Sequence, residues 1–199
     1  QAFLFENVKG LLNHDGGKTM ETIKDTLNNL GYHIHYKVLN TKDFDLPQNR
    51  ERIFIVGFLD DKPFTFPTPV FPKRTIRDLL DTDVDECYFY TPDYKYYQPI
   101  IEGVVNTDTL YQWRWSYVSE NKSKVCPTIT ASAFCKTIVK IPDKGVRMLT
   151  PRELFRFQGF PDSYIIPDLS YSRLHHQAGN SVSVPVVEAI GKQMMKVLK

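Results

Sequence analysis

The chain has 199 residues, 42% of them hydrophobic and 13% aromatic, so it is large and apolar enough to bury a core. Lys and Arg number 25 against 23 Asp and Glu, so bulk charge does not by itself indicate nucleic-acid binding, although the pI of 8.4 permits it. No apolar run approaches the roughly 20 residues of a membrane span and no signal peptide is recognisable, so we expect a cytoplasmic protein.

The first sixty residues alternate between strand and helix patterns. Residues 2–5 form a continuous apolar run that predicts a buried strand. Apolar residues then recur at helical spacing over 18–30, where Gly31 is suited to end the helix. Residues 32–39 alternate and 52–59 are rich in Ile, Val and Phe, which predicts two more strands. This order is typical of the second half of a doubly wound α/β sheet.

The middle of the chain has a different texture. Four prolines fall between residues 63 and 72, the last of them Pro72, which predicts a surface linker. The residues from about 74 to 144 lack sustained periodicity and are crowded with aromatic residues and turn formers. We therefore predict a small, irregular, partly β domain over 62–145, between one α/β segment at 1–61 and another at 146–199.

Helical signals return near the C-terminus. Thr150, Pro151 and Glu153 provide a cap, a proline in the first turn and an acidic residue at the third helical position. This helix is predicted to end at Gly159. A last helix over 184–198 has an apolar face.

Three charged residues are candidates for a site. Glu6 ends the first predicted strand, at the carboxyl edge of what we presume is a parallel sheet, where open α/β folds bind ligands. Its carboxylate could bind the ring nitrogen and exocyclic amine of a pyrimidine, or it could be a solvated edge residue. Arg50 and Arg52 lie two residues apart where the chain enters the third strand, and we expect their side chains to diverge. One could face the site while the other ties down a loop, or both could be a charged strand start.

Several segments together are more specific than any one of them. They are Phe5-Glu6-Asn7-Val8, residues 46–52, residues 147–153 with 158–162, residues 177–182, and the Pro-Thr-Ile-Thr-Ala run at 127–131. In order and spacing this set resembles the C-terminal motifs of the DNA cytosine-5 methyltransferase family. The resemblance implies the C-terminal half of a Rossmann-like S-adenosylmethionine methyltransferase sheet, with the stretch 62–145 as its target recognition domain.

The resemblance also implies a chemistry and a role for each matching residue. In this family a cysteine thiolate adds to carbon 6 of a flipped-out cytosine, and carbon 5 then takes a methyl group from S-adenosyl-L-methionine. Glu6 matches the residue that binds N3 and the exocyclic amine, and Arg50 matches the arginine that holds O2. Arg52 matches a second arginine, which we interpret mainly as scaffold.

Further residues are assigned to the cofactor and to double-stranded DNA. The expected cofactor-binding residues are Asn180, Ser181, Val182 and Phe160. The expected DNA-binding residues are Thr128, Ile129, Arg114 and Lys136, in a region where basic groups such as Lys122 mix with aromatic ones such as Trp113 and Trp115. Aromatic residues in a small domain also commonly form its core, so both interpretations stay open for each of them.

The nucleophile of the family is the main departure. Its Pro-Cys motif and Gly-rich cofactor loop appear nowhere in these residues, and Cys126-Pro127 has the reverse order. Cys87, Cys126 and Cys135 lack paired ligand spacing, so we assign no metal site and interpret all three as structural. Because the chain starts directly with an apolar strand, we expect either a split enzyme or a fragment. Its partner would be an N-terminal half that carries the nucleophile. We expect the whole enzyme to act in bacterial restriction-modification.

Three other functions are also compatible with the sequence. The chain could be a non-catalytic relative that binds DNA or regulates an intact enzyme. It could belong to the family branch that methylates transfer RNA, although residues 133–137 (Ala-Phe-Cys-Lys-Thr) do not reproduce the Cys-Phe-Thr motif of that branch. It could also be a small-molecule enzyme on a similar sheet, which the insert before the closing helix disfavours.

Overall fold

The computed structural model describes residues 1–70, 73–121, 123–132 and 134–199. The predictions that involve Pro72, Lys122 and Ala133 lie outside the described residues. No helix in the described part of the chain is long and apolar enough to cross a lipid bilayer.

The N-terminal segment forms a three-stranded sheet. Its elements are β1 (Ala2–Val8), a 3-10 segment (Lys9–Gly17), α1 (Lys18–Asn29), β2 (His33–Asn40) and β3 (Glu51–Phe58). The strand order is β1-β3-β2, and β3 pairs antiparallel with both neighbours. The predicted strands and the helix ending before Gly31 are confirmed. The presumed parallel pairing is wrong for these strands: β1 and β2 run in the same direction, but β3 lies between them.

The first strand is longer and more exposed than predicted. β1 extends through Glu6 to Val8, and Phe5 is half-exposed. Among the described strands β1 pairs only with β3, so it lies at an edge of the sheet. An edge strand loses the burial that a second neighbour provides, which explains why an apolar run is not buried here.

The sheet is covered on both faces. Ile53 of β3 packs in one cluster with Met20 of α1, whereas Phe54 packs in another cluster with Ile190. Ile190 belongs to α5 (Val184–Leu198), which has the predicted bounds. Successive side chains of a strand point to opposite faces, so β3 is apolar throughout because helices cover both sides.

The central region forms a second sheet. Its elements are α2 (Tyr97–Gly103), β4 (Leu110–Arg114), β5 (Tyr117–Glu120), β6 (Cys135–Ile141) and β7 (Gly145–Met148). The strand order is β5-β4-β6-β7, with antiparallel pairing throughout. This central region is small and partly β, as the sequence predicts.

The proline-rich stretch packs against the first sheet and its helix. Phe64 shares a hydrophobic cluster with Ile190, and the Lys62 ammonium donates to the Val197 carbonyl over 3.3 Å. Val70 forms a bridge with Phe44. Residues 62–70 therefore lie with the first sheet instead of forming a linker.

Two helices lie between β7 and α5. They are α3 (Pro151–Phe157) and α4 (Tyr171–Asn180). The predicted cap of α3 is present as a reciprocal capping box: the Glu153 amide donates to Thr150 Oγ1 over 3.2 Å, and the Thr150 amide donates to Glu153 Oε2 over 2.7 Å. We did not predict α4, because its short sequence includes two histidines and a glycine, although Leu174 and Ala178 lie on one buried face.

A buried ion pair joins β7 to the start of α3. The Arg147 guanidinium donates to both carboxylate oxygens of Glu153, each over 2.7 Å, and both side chains are almost completely buried. The Asp81 amide also donates to Glu153 Oε1 over 2.8 Å. The pair thereby connects β7 and α3 to each other and to the distant segment at Asp81, and each charge has its counter-charge inside the core.

Candidate active site

Glu6 and Arg52 face each other at one end of the first sheet. Arg52 Nε lies 3.1 Å from Glu6 Oε1, and both side chains remain partly accessible. The residues are diagonal neighbours, because Glu6 pairs with Phe54 and Val8 pairs with Arg52. Burial lowers the pKa of Arg52, while Glu6 counteracts that shift. The arrangement presents a carboxylate and a guanidinium side by side at an accessible edge.

Arg50 has a different environment. It is 2% exposed, and its guanidinium donates to three backbone carbonyls: Ile129 over 3.0 Å, Gly179 over 3.2 Å and Ser181 over 2.7 Å. Burial, with a smaller effect of Arg52, lowers its pKa to about 10, so it stays charged near neutral pH. Arg50 therefore ties the third strand to the segment at 129 and to the end of α4.

Two buried glutamines extend this network. Gln48 Nε2 donates to the Phe157 carbonyl over 2.5 Å, and Gln158 Nε2 donates to the Ala178 carbonyl over 2.7 Å. Both side chains are fully buried. Because an unpaired buried amide is costly, these bonds hold the loop before β3 against α3 and α4.

Gly179 lets α4 pack directly on backbone. A Cβ atom at this position would lie 2.4 Å from the Thr130 carbonyl carbon and 2.4 Å from the Ala131 nitrogen. Backbone cannot move aside as a flexible side chain can, so any side chain here must displace the helix end that accepts the Arg50 bonds.

We expect Gly179→Ala to lower the free energy of unfolding by about 2 kcal/mol or more, because overpacking forces the backbone apart. The measurement is urea denaturation of the full protein. Gly191→Ala is the matched control: Gly191 lies in α5 and a Cβ there meets nothing within 4 Å. That change should leave stability equal or raise it by up to about 1 kcal/mol. Equal effects of the two substitutions would contradict the close approach of Gly179 to the backbone of Thr130 and Ala131.

The four predicted cofactor residues do not share one environment. Asn180 is exposed at the end of α4, whereas Ser181 and Val182 are half-buried just after it. Ser181 Oγ donates to the Ala178 carbonyl over 2.8 Å. Phe160 packs against Phe155, with ring centroids 5.3 Å apart, as part of a hydrophobic cluster.

Two of the predicted DNA-binding residues line a cleft of about 260 Å³ between the two sheets. Arg114 is exposed there and donates to Gln112 Oε1 over 2.8 Å. Thr128 lines the same cleft, where its hydroxyl donates to the Asn49 carbonyl over 2.6 Å. Asn49 lies between Gln48 and Arg50, so the cleft runs beside the loop that leads into β3.

The other two predicted DNA-binding residues differ in how accessible they are. The Ile129 side chain is completely buried, which contradicts a direct contact with DNA; its carbonyl accepts from Arg50 instead. Lys136 is half-buried, with its ammonium 5.6 Å from the centre of the Tyr171 ring, and burial lowers its pKa. Both predictions relied on sequence patterns that do not show which way a side chain faces.

A buried histidine lies beside Lys136. His175 is 2% exposed, and burial lowers its pKa, with further contributions from Lys136 and His176. The folded protein therefore keeps this imidazole neutral. Because the unfolded chain binds the proton more readily, His175 contributes stability that is present above the ordinary histidine pKa and is lost as the pH falls below it.

We expect acid to destabilise the protein partly through His175. Below about pH 6.5 this residue alone should remove up to about 1.4 kcal/mol of stability per pH unit. Urea denaturation at neutral and mildly acidic pH should show a smaller acid loss for His175→Gln than for the wild type. His176→Gln, at an exposed position of the same helix, is the control. An unchanged acid loss in His175→Gln would contradict the assignment.

The cysteines keep their structural interpretation as a prediction. Cys126 is fully buried, and burial raises the pKa of its thiol well above the usual value. A nucleophilic cysteine needs a stabilised thiolate, so the Cys126 environment opposes that role.

Comparisons with known proteins place this geometry in context. The family described as C-5 cytosine-specific DNA methylase matches residues 1–196. The type II methyltransferase M.Bsp6I of Bacillus sp. (strain RFL6) is 46% identical, over 98% of this chain and 65% of the relative. The type II methyltransferase M.HaeII of Haemophilus aegyptius is 42% identical, over 100% of this chain and 62% of the relative. The chain thus spans less than two thirds of the length of these curated relatives.

Solved structures show the same fold. The methyltransferase EhMeth of Entamoeba histolytica superposes with a TM-score of 0.77 and 20% identity, over 100% of this chain and 63% of the other. The Dnmt2 methyltransferase of S. pombe superposes with a TM-score of 0.76 and 21% identity, over 100% of this chain and 67% of the other. At these identities the likeness concerns the fold alone.

Proposed function

Because this chain belongs to the C-5 cytosine-specific DNA methylase family, we propose that it supplies the base-holding part of an enzyme that methylates carbon 5 of cytosine in DNA. The facing pair of Glu6 and Arg52 is the observation that supports this most directly. The proposed methyl donor is S-adenosyl-L-methionine. The type II methyltransferases among the relatives favour a role in bacterial restriction-modification, in the cytoplasm.

In this proposal Glu6 and Arg52 hold the flipped cytosine. The Glu6 carboxylate accepts from the exocyclic amine and keeps a proton at N3, and the Arg52 guanidinium donates to O2 and stabilises negative charge as the ring is attacked. This assignment exchanges the two arginine roles expected from the sequence. It rests on the side-by-side placement of Arg52 and Glu6, whereas the Nη groups of Arg50 donate to three carbonyls.

The exchange of roles between Arg50 and Arg52 can be tested by replacing each arginine with lysine. Arg52→Lys should reduce the methylation rate while leaving the midpoint of urea denaturation nearly unchanged, since lysine keeps the charge beside Glu6 and a partly exposed pair contributes little to stability. Arg50→Lys should lower that midpoint, because an ammonium cannot reach all three carbonyls. An Arg52→Lys enzyme with wild-type kinetics would disprove the proposed contact with the base.

In this proposal, only some of the four predicted cofactor-binding residues contact the cofactor. The exposed amide of Asn180 at the end of α4 fits a polar contact to S-adenosyl-L-methionine, whereas Phe160 packs in a hydrophobic cluster. That cofactor supplies the methyl group when bound. We propose Asn180 as the contacting residue and Ser181 and Val182 as the segment that positions it. In the enzyme with its N-terminal half present, Asn180→Ala should raise the Kd for the cofactor, and an unchanged Kd in equilibrium dialysis would refute this role.

The nucleophile would come from outside these residues. The relatives are longer than this chain, and the buried Cys126 thiol is unsuited to attack. We propose that a preceding segment or a separate subunit carries the reactive cysteine and most of the cofactor site. It would contact this chain along the accessible edge at Glu6.

The test is methyl transfer from labelled S-adenosyl-L-methionine to unmethylated bacterial DNA. This chain would be assayed alone and together with the polypeptide encoded immediately upstream. Formation of 5-methylcytosine only in the mixture is the expected result. No product in either assay, with DNA binding retained, would favour a non-catalytic DNA-binding relative. Product from the chain alone would show that it contains its own nucleophile.

We further propose a recognition unit that is narrower than the predicted 62–145. Residues 62–70 pack with the first sheet, and Cys126 forms a bridge with Gln48 in the loop before β3. The second sheet and α2 remain as the unit that reads DNA, with Arg114 contacting the duplex from the cleft. Residues 84–121 are the part of this unit that contains α2, β4, β5 and Arg114. Exchanging them for those of a relative should change the methylated sequence and retain activity. An unchanged target sequence would contradict this unit.

A further inference from the structure

Two large aromatic side chains protrude together from the second sheet. Trp115 and Phe134 are each 61% exposed. Their ring centroids are 4.5 Å apart and their planes are nearly perpendicular, at 85°. Trp115 comes from the turn between β4 and β5, and Phe134 comes from the loop before β6. We refer to these two residues as the aromatic tip.

Packing within the protein does not explain why a tryptophan occupies position 115. Arg114 pairs with Tyr117, so Trp115 is the first of two residues in a tight hairpin turn. Its φ of +57° lies in the left-handed region, where hairpins prefer Gly, Asn or Asp and a bulky side chain is strained. Trp113, two residues earlier, is buried against Tyr96 and does contribute to the core. Trp115 instead combines backbone strain with exposure to water, as functional residues often do.

The aromatic tip lies next to the cleft. Arg114 lines that cleft with Asn49 and Thr128, and Trp115 directly follows Arg114 at the end of β4. Asn49 in turn directly precedes the buried Arg50. A cation beside planar side chains suits DNA, because the cation binds phosphate and the ring stacks on a base.

We propose that Trp115, supported edge-on by Phe134, stacks on a DNA base next to the cytosine that is turned out of the duplex. This inference rests on the proposed function and adds a specific base-stacking element to it. Turning a base out leaves its neighbours unstacked, and an inserted aromatic ring can restore part of that stacking. The strained turn holds the ring away from the protein surface, where a base can reach it.

The test compares substitutions of Trp115 in the enzyme with its nucleophile-bearing part present. Affinity for a labelled duplex containing the target sequence is measured by fluorescence anisotropy. Trp115→Ala and Trp115→Gly should each weaken binding by about 10-fold or more, and Trp115→Phe should largely restore it. Trp115→Gly should also raise the melting temperature or leave it unchanged, because glycine relieves the positive φ. Loss of binding without loss of stability separates a DNA contact from a structural role.

Tyr36→Ala is the matched control, since Tyr36 is an exposed aromatic residue on β2 and should not affect binding. If the wild type methylates cytosine and Trp115→Ala binds DNA as tightly as the wild type, the aromatic proposal alone fails. Sedimentation showing a wild-type dimer that Trp115→Ala dissociates would overturn it by assigning the tip to a second copy. If the wild type does not methylate cytosine, the proposed function itself fails.

Discussion

Replacing Glu6 with Gln should lower the rate of cytosine methylation by about 100-fold or more, the scale of losing a positioned acid-base group. A glutamine amide has the same size and its oxygen can still accept from the exocyclic amine, but its uncharged NH2 group donates to N3 and cannot hold a proton there as a carboxylate can. The measurement is kcat and KM for a duplex substrate, using the enzyme with its nucleophile-bearing part present. We expect the loss mainly in kcat, because the contact strengthens as the ring becomes activated.

Glu51→Gln is the matched control for this change. Glu51 is an exposed carboxylate at the start of β3, paired with Lys9 at 3.1 Å. Its substitution should leave methylation unchanged. The Glu6 substitution should barely alter the midpoint of urea denaturation, because partly exposed ion pairs contribute about 1 kcal/mol at most. A Glu6→Gln enzyme that retained most of its rate would remove the main support for the proposed mechanism.

Replacing Glu153 with Gln should lower the free energy of unfolding by about 3–5 kcal/mol, because Arg147 would keep a buried charge without its counter-charge. Arg147 is 1% exposed and its two Nη groups both bind this carboxylate. Such a loss is a large share of the stability of an ordinary domain. Urea denaturation monitored by circular dichroism is the measurement.

Two comparisons sharpen that result. The double variant Arg147→Met with Glu153→Leu should recover much of the loss, since an apolar pair has no charge to solvate. Lys192→Ala removes an exposed i,i+4 pair with Glu188 and should cost about 0.5 kcal/mol or less. If Glu153→Gln were as mild as Lys192→Ala, the buried pair could not be the connection described between β7 and α3.

Much of the secondary structure could be predicted because local signals determine it. The apolar run of β3, the capping box at Thr150 and the face of α5 all follow from the residues in place. Pairing order could not be predicted, because nothing in β3 indicates that it inserts antiparallel between β1 and β2. The packing of Phe64 onto α5 was missed since prolines suggest a linker whatever they contact.

The candidate site likewise has features that local sequence predicts and features that depend on long-range packing. Side chains two residues apart in a regular strand share a face, so the spacing of Arg50 and Arg52 does not explain their divergence. Arg50 lies just before β3 begins at Glu51, and which arginine faces Glu6 depends on what packs behind the strand. Likewise Trp113 and Trp115 look equivalent in the sequence, yet one is in the core and the other at a turn. Residue types predicted the chemistry, and only long-range packing assigned the directions of the side chains.

The three carbonyl contacts of Arg50 also bear on how such enzymes diversify. Ile129 lies 79 positions from Arg50 in the chain. The first part of the intervening stretch, β3 and residues 62–70, packs with the first sheet, and the bond between Arg50 and Ile129 fixes where the rest of it returns to that sheet. Closing a flexible loop costs only about 0.6 kcal/mol more for each doubling of its length. Insertions and deletions in that region are therefore thermodynamically inexpensive while the anchor persists. In the proposed enzyme, new sequence specificities would then arise by remodelling this region, without a change in the facing pair of Glu6 and Arg52.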